Sequence, residues 1–246
     1  MALIIDIETI GFPRFLKNND KSNEKSNDKY PPYKNISLYN TARIVQVSMM
    51  VCNEKLEQIN LHDYIVKANN FKIYNSHIHG ITNEMSAQGK LFIDVATTLY
   101  DNLKQVSHII AHNAKFDINV LKSELFRHKL FYIIEEFEKK EILCSMTMTK
   151  NIVNAKNKFN KPKMPSLNDL YKYIFNDNLN NAHNAKYDVI NLHLPIKKLY
   201  DDHKLFNDII FIYNEQTIKS LLKNKYCIDY ENFLINIQDI DKYLVN

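Results

Sequence analysis

Ala2-Leu3-Ile4-Ile5-Asp6-Ile7-Glu8-Thr9 stands at the head of the 246-residue chain, and its reading decides the fold. Ala2 to Ile7 is an isoleucine-rich apolar run, the pattern of a strand buried on both faces. On a strand, residues i and i+2 face the same way, so Asp6 and Glu8 project together from one side of that segment. Two like charges at this spacing repel and push a carboxyl pKa up unless something compensates. A divalent cation is the simplest compensator, and hard oxygen ligands suit magnesium or manganese. The alternative is a strand whose end emerges into solvent.

Working outward, Arg43 to Cys52 predicts a second strand and Glu57 to Val66 a third. Between the first two lies a polar stretch from Lys17 to Lys34, rich in Asn, Lys, Ser and Asp, which reads as a surface insertion. His79-Gly80-Ile81-Thr82 is a turn in which glycine supplies a positive φ. Phe92–Lys104 and Lys115–His128 have helical spacing, and Ser107–Ala111 and Glu141–Met146 read as short strands. Asn151–Pro165 reads as a Lys- and Asn-rich loop. Ser166 caps a helix running to Phe175. A last helix spans Ala185–Leu194, with Pro195 ending or kinking it. Strands first, then alternation with helices, predicts a mixed α/β domain over residues 1–200. Residues 201–246 read as a helical C-terminal extension.

Composition bounds the rest. The chain is 45% hydrophobic and 24% charged, too apolar for disorder. No apolar run approaches the ~20 residues that span a bilayer, and the N-terminus has no basic n-region, so neither a membrane span nor a signal peptide is expected. The net charge of +4 suggests an anionic partner only weakly. Cys52, Cys144 and Cys227 are scattered, without a C-x-x-C, which fits reduced thiols in a cytoplasmic or nuclear compartment.

The second chemical signal is a near-repeat. Ala111-His112-Asn113-Ala114-Lys115-Phe116-Asp117 and Ala182-His183-Asn184-Ala185-Lys186-Tyr187-Asp188 differ only at Phe116 and Tyr187. Each places an Asn to cap a helix and an acid about one turn inside, where the macrodipole favours it. Either copy alone is good helix-start chemistry. With Asp6 and Glu8, however, they give four acids that can converge. Asp188 lies five positions after His183, so the two cannot share a helix face. His183 therefore belongs to the loop before the helix, where an imidazole can act as a base near neutral pH.

In this order, the residues resemble the proofreading-type 3′→5′ exonucleases of the DEDDh (DnaQ-like) group in the ribonuclease H-like superfamily. Asp6-Ile7-Glu8-Thr9 matches the first motif, Asn113 to Asp117 the second, and His183 to Asp188 the third. Gly11-Phe12-Pro13, Arg43-Ile44-Val45-Gln46, His79-Gly80-Ile81-Thr82 and Ser166-Leu167-Asn168-Asp169-Leu170 agree as well.

The resemblance implies a ribonuclease H-like mixed sheet flanked by helices. It implies phosphodiester hydrolysis with two Mg²⁺ or Mn²⁺ ions on Asp6, Glu8, Asp117 and Asp188, releasing nucleoside 5′-monophosphates. Both heptapeptides contain His-x4-Asp, but in the family the histidine belongs to the last motif. His183 is thereby the general base and His112 a structural residue. Substrate contacts carried over are Thr9 and the backbone at Ile10 for the terminal 3′ hydroxyl, and Phe12 as an apolar wedge beside the last base. His79 and Ile81 are carried over as lining the same pocket and Asn113 as a further contact; for Phe12 and Ile81 the alternative is ordinary core packing. Lys156, Lys158, Lys161 and Lys163 are either solvated or follow the strand's phosphates.

Expected substrates are single-stranded or frayed DNA 3′ ends. The alternatives are an RNA-preferring exoribonuclease, a proofreading subunit docked to a polymerase or another replication or repair protein, and a catalytically idle nucleic-acid-binding module.

Overall fold

The computed structural model describes residues 1–15, 30–179 and 181–202. Most of the expected polar insertion and nearly all of the expected C-terminal extension lie outside the described residues. Five strands, β1 (Ala2–Thr9), β2 (Ile44–Cys52), β3 (Gln58–Ile65), β4 (His108–Ala111) and β5 (Glu141–Cys144), form one sheet in the order β3-β2-β1-β4-β5. β1 and β2 pair antiparallel, as do β2 and β3, whereas β1, β4 and β5 run parallel.

The helices are α1 (Ser76–His79), α2 (Asn83–Ala87), α3 (Phe92–Leu103), α4 (Ala114–Arg127), α5 (Phe131–Glu138), α6 (Ser145–Met148), α7 (Lys150–Val153), α8 (Leu167–Phe175) and α9 (Ala185–Asp201). The fold is the mixed α/β sheet with flanking helices that the sequence predicts.

Alternation along β1 sorts its two faces. Leu3, Ile5 and Ile7 enter the main core with Leu99 and Leu103 of α3, Leu121 and Leu125 of α4, and Ile133 and Phe137 of α5. The other parity carries Asp6 and Glu8. α9 packs on β1 and β2, and α8 packs on α9. Every residue of β2 is buried, which explains its unbroken apolar run.

Three expectations are corrected. Pro195 lies inside α9 and does not end it. Proline forfeits one backbone hydrogen bond, but Ile196 and Leu199 beyond it are buried and hold the helix on. β5 stops at Cys144, and Ser145–Met148 is helical. The 151–165 segment holds a hairpin closed by an antiparallel bridge between Lys156 and Pro162. α5 was not anticipated from the sequence. The predicted turn is the end of α1, where Gly80 at φ +76° caps a helical turn. The Ser166 cap is present as a full capping box with Asp169.

Candidate active site

Asp6, Glu8 and Asp188 each offer a carboxylate oxygen within 4.8 Å of the others. The first two come from β1, and the third from the first turn of α9, packed against the same strand. Gln46 sets this junction. It is buried in β2, its Oε1 accepts the Ala185 N–H at 3.2 Å, and its Nε2 reaches Asp63 at 2.8 Å and Asn184 at 3.5 Å. The start of α9 is thus fixed to the sheet beside Glu8, which pairs with Gln46 across the ladder. In the sequence, Gln46 was legible as part of a matching tetrapeptide but not as the residue that places Asp188.

Asp117, 2% exposed, enters from α4. The last rung between β1 and β4 pairs Ile4 with Ile110, so the Ile7 N–H has no strand partner on that side, and the Asp117 carboxylate takes it. Asp117 is not one of the three mutually close carboxylates, but its charge acts on Asp6. Its Oδ2 is buried with no hydrogen-bond partner among the described residues. Such an atom is costly in a fold unless a cation or donor completes it.

The electrostatics agree. Burial, then the charges of Asp117, Asp188 and Glu8, holds the Asp6 pKa well above the carboxylate range. Burial and Asp188 push Glu8 up to about 7. Burial lifts Asp188 to about 6, although hydrogen bonds from the His183 and Asn184 backbone and the His183 charge oppose it. Burial also raises Asp117.

Glu124 shows that burial alone does not do this. Burial pushes it up, but hydrogen bonds from His128 and Arg43 and the charges of Arg43 and Arg127 hold it below its ordinary value. The Arg43 guanidinium grips it at 2.7 and 2.9 Å. A cavity of about 540 Å³ lies against this second cluster, lined by Arg43, Phe71, Arg127 and His128, and none of the four site carboxylates lines it. Among the described residues Asp6, Glu8, Asp117 and Asp188 have no Lys or Arg ion-pair partner, and their donor set of hard oxygens fits magnesium or manganese.

The two histidines separate cleanly. His112 Nε2–H donates to the Pro165 carbonyl at 3.1 Å, leaving Nδ1 to accept from the Ser145 hydroxyl at 3.0 Å. Burial drives its pKa down to about 4. His183 is exposed, sits in the left-handed region at φ +64°, and gives its backbone N–H to Asp188 Oδ2 at 3.0 Å. Its ring has no hydrogen bond among the described residues.

The expected substrate contacts fare unevenly. Phe12 is 65% exposed and its ring lies 5.5 Å from that of Phe116. Thr9 is buried, with its hydroxyl donating to the Gly11 carbonyl. Gly11 has φ +149°, and a Cβ there would meet the Thr41 carbonyl at 3.0 Å, so only glycine makes this turn. The Ile10 N–H is spent on the Arg43 carbonyl at 3.0 Å.

His79 and Ile81 are buried and line no surface. The Ile81 N–H donates to His79 Nδ1, His79 Nε2 faces Asn75 Oδ1, and Asn75 Nδ2 donates to the Thr9 carbonyl. They therefore support the turn after β1 from behind. Asn113 stands at the N-cap of α4 without a side-chain cap. Its backbone is left-handed and its amide donates to the Tyr30 hydroxyl at 3.3 Å.

Residues 3–193 match the RNase_T exonuclease family. The chain belongs to this family, of the DEDDh (DnaQ-like) exonuclease group in the ribonuclease H-like superfamily, a nuclease family that depends on divalent metal. It is 28% identical to DNA polymerase III subunit epsilon of Buchnera aphidicola (subsp. Acyrthosiphon pisum, strain APS) over 170 residues, 67% of this chain and 66% of that one. The epsilon subunit of the Schizaphis graminum subspecies is 27% identical over 123 residues, 50% of this chain and 44% of that one. The chain thus spans less than two thirds of these relatives.

E. coli Exonuclease I in complex with a dT13 oligonucleotide has the same fold, with a TM-score of 0.64 at 17% identity over 89% of this chain and 45% of that one. Exonuclease X in complex with 5′ overhanging duplex DNA gives 0.51 at 19% identity, over 83% and 93%. Among the described residues no helix is long and apolar enough to cross a membrane.

Proposed function

We propose that the protein hydrolyses single-stranded or frayed DNA from the 3′ end, releasing nucleoside 5′-monophosphates, with Asp6, Glu8, Asp117 and Asp188 holding two divalent cations and His183 as general base. The observation that carries this reading is the meeting of the Asp6, Glu8 and Asp188 carboxylates from two separated segments, with Asp117 of a third segment acting on Asp6 by its charge and keeping an orphaned buried oxygen.

Such cations, when bound, polarise the attacking water and offset charge on the phosphate. The chain's own part is to aim the ligands and move the proton. β1 fixes Asp6 and Glu8 on one face, the Ile7 N–H orients Asp117, and the His183 and Gln46 contacts orient Asp188. The exposed imidazole of His183 receives the proton of the attacking water, for which its position beside Asp188 suits it. Phe12, exposed after the turn at Gly11, offers a ring to the terminal base, a contact that tolerates any base. The epsilon relatives extend the proposal to partners, with a polymerase subunit as the candidate.

The test is incubation of the full chain with 3′- or 5′-labelled DNA and RNA oligonucleotides in magnesium, manganese or chelator. Stepwise shortening from the 3′ end, only with metal and faster on DNA, is expected. Shortening of RNA alone would transfer the substrate to RNA. Binding without any cleavage would leave an idle nucleic-acid-binding module.

A further inference from the structure

The hairpin around residue 159 is built without help from the core. The Asn157 N–H donates to the Lys161 carbonyl and the Lys163 N–H to the Ala155 carbonyl, both at 2.9 Å. Within the tip, Asn157 Oδ1 accepts the N–H groups of Phe159 and Lys161 at 2.9 and 3.1 Å, and Asn160 supplies a left-handed residue at φ +58°. This rigid tip presents Phe159 at 70% exposure, with the Lys158 ammonium 5.0 Å from the ring centre.

Lys156, Lys158 and Lys161 are exposed around it. Lys163 is not equivalent, because it is tied to Asp169 at 2.6 Å. No Asp or Glu occurs from residue 142 to 168, so nothing within the hairpin neutralises the three free lysines. A fixed aromatic ring among uncompensated cations is the combination that holds single-stranded nucleic acid.

Its placement follows from the chain path. The return strand leads to Pro165, whose carbonyl is held by His112 immediately before Asn113. β4 and β1 run parallel, so the C-terminal end of β4 lies at the same end of the sheet as Asp6 and Glu8.

We propose that this hairpin is a strand-holding arm: Phe159 stacks on an unpaired base of the nucleic acid, and Lys156, Lys158 and Lys161 neutralise its phosphates. The identity of the strand as substrate rests on the nuclease reading above, whereas the binding itself does not.

Anisotropy of a labelled oligothymidylate with the full chain in chelator, where no metal-dependent cleavage occurs, measures binding alone. Phe159→Ala weakens single-strand binding roughly ten-fold with unchanged salt dependence, and leaves blunt-duplex binding as it was. Replacing the three lysines by Gln lowers the slope of log K against log salt by about 2, near 0.7 per single-strand phosphate. Hydrolysis of the p-nitrophenyl ester of thymidine 5′-monophosphate, too small to reach the arm, is the same in all variants. Unchanged oligonucleotide affinity and salt slope would overturn the proposal, as would equal losses on the small ester. A wild-type chain inert on that ester with either metal sinks the nuclease reading and leaves the arm standing.

Discussion

The heptapeptides 111–117 and 182–188 share six of seven residues, and each starts its helix at the second alanine. They nevertheless put their histidines to opposite uses. In the first copy the chain arrives from β4 with Ala111 buried, Asn113 takes the left-handed conformation, and His112 is drawn between Ser145 and Pro165. In the second copy the chain arrives from an exposed turn, His183 itself is left-handed, and its ring stays in the open beside Asp188. Local sequence sets where the helix begins and places the acid in its first turn. The segment delivering the chain decides whether the histidine ring is a buried strut or stands in the open. The acids differ by the same logic: Asp117 is buried with an oxygen left over, while Asp188 is half-buried and hydrogen-bonded by backbone.

The sharpest way to break this comparison is at the acids. Asp117→Asn or Asp188→Asn should each lower turnover with saturating metal a thousand-fold or more, since cation-assisted charge stabilisation is worth several kcal/mol. Both should raise the Tm of the metal-free protein at pH 8, by roughly 2–4 °C per kcal/mol of repulsion relieved. A variant that kept wild-type turnover would remove that acid from the site.

At the histidines a double dissociation is expected. His183→Ala reduces kcat about 10²–10⁴-fold with little change in Tm. His112→Ala costs about 1–3 kcal/mol of stability by stranding buried partners and leaves most of kcat. The reverse pattern would exchange their roles.

The pH dependence has a defined sign. Asp6, Glu8, Asp117 and Asp188 all have folded pKa values raised above the unfolded ones, with Glu8 near 7 and Asp188 near 6. Over that interval the folded state binds more protons than the unfolded chain, so stability falls as pH rises. The metal-free protein should therefore lose stability from about pH 4 to above 7. Saturating magnesium should flatten that decline, and Asp188→Asn should make it shallower. A flat metal-free profile would contradict the raised values. Smallest of all, Ser145→Ala removes one of the two His112 ring contacts and should cost about 1 kcal/mol, read as a shift in the urea midpoint.

Much of this was legible in one dimension. The apolar run before Asp6, the capping box at Ser166 and the helical spacing of Phe92–Leu103 are local signals, and each appears where the sequence places it. What failed locally failed for tertiary reasons. Pro195 is carried through α9 by buried residues on either side of it. His79 and Ile81 look like pocket residues in a motif but are turned inward by the hydrogen-bond chain through Asn75 to Thr9. Gln46 stands in a matching tetrapeptide, but its role in placing Asp188 shows only once α9 is docked against it. The salt bridge from Arg43 to Glu124 joins residues 81 positions apart, a separation that no periodicity can bridge.

By itself the sequence determined the strands, most of the longer helices and the family, and singled out the acids of its motifs, because period, capping and motif spacing act over a few residues. Only the tertiary structure decided which histidine is free, which carboxylate oxygen lacks a partner, and which buried acid, Glu124, already has its cation. Those outcomes depend on burial and on charges brought together from distant segments, and both exist only once the sheet and its helices have packed.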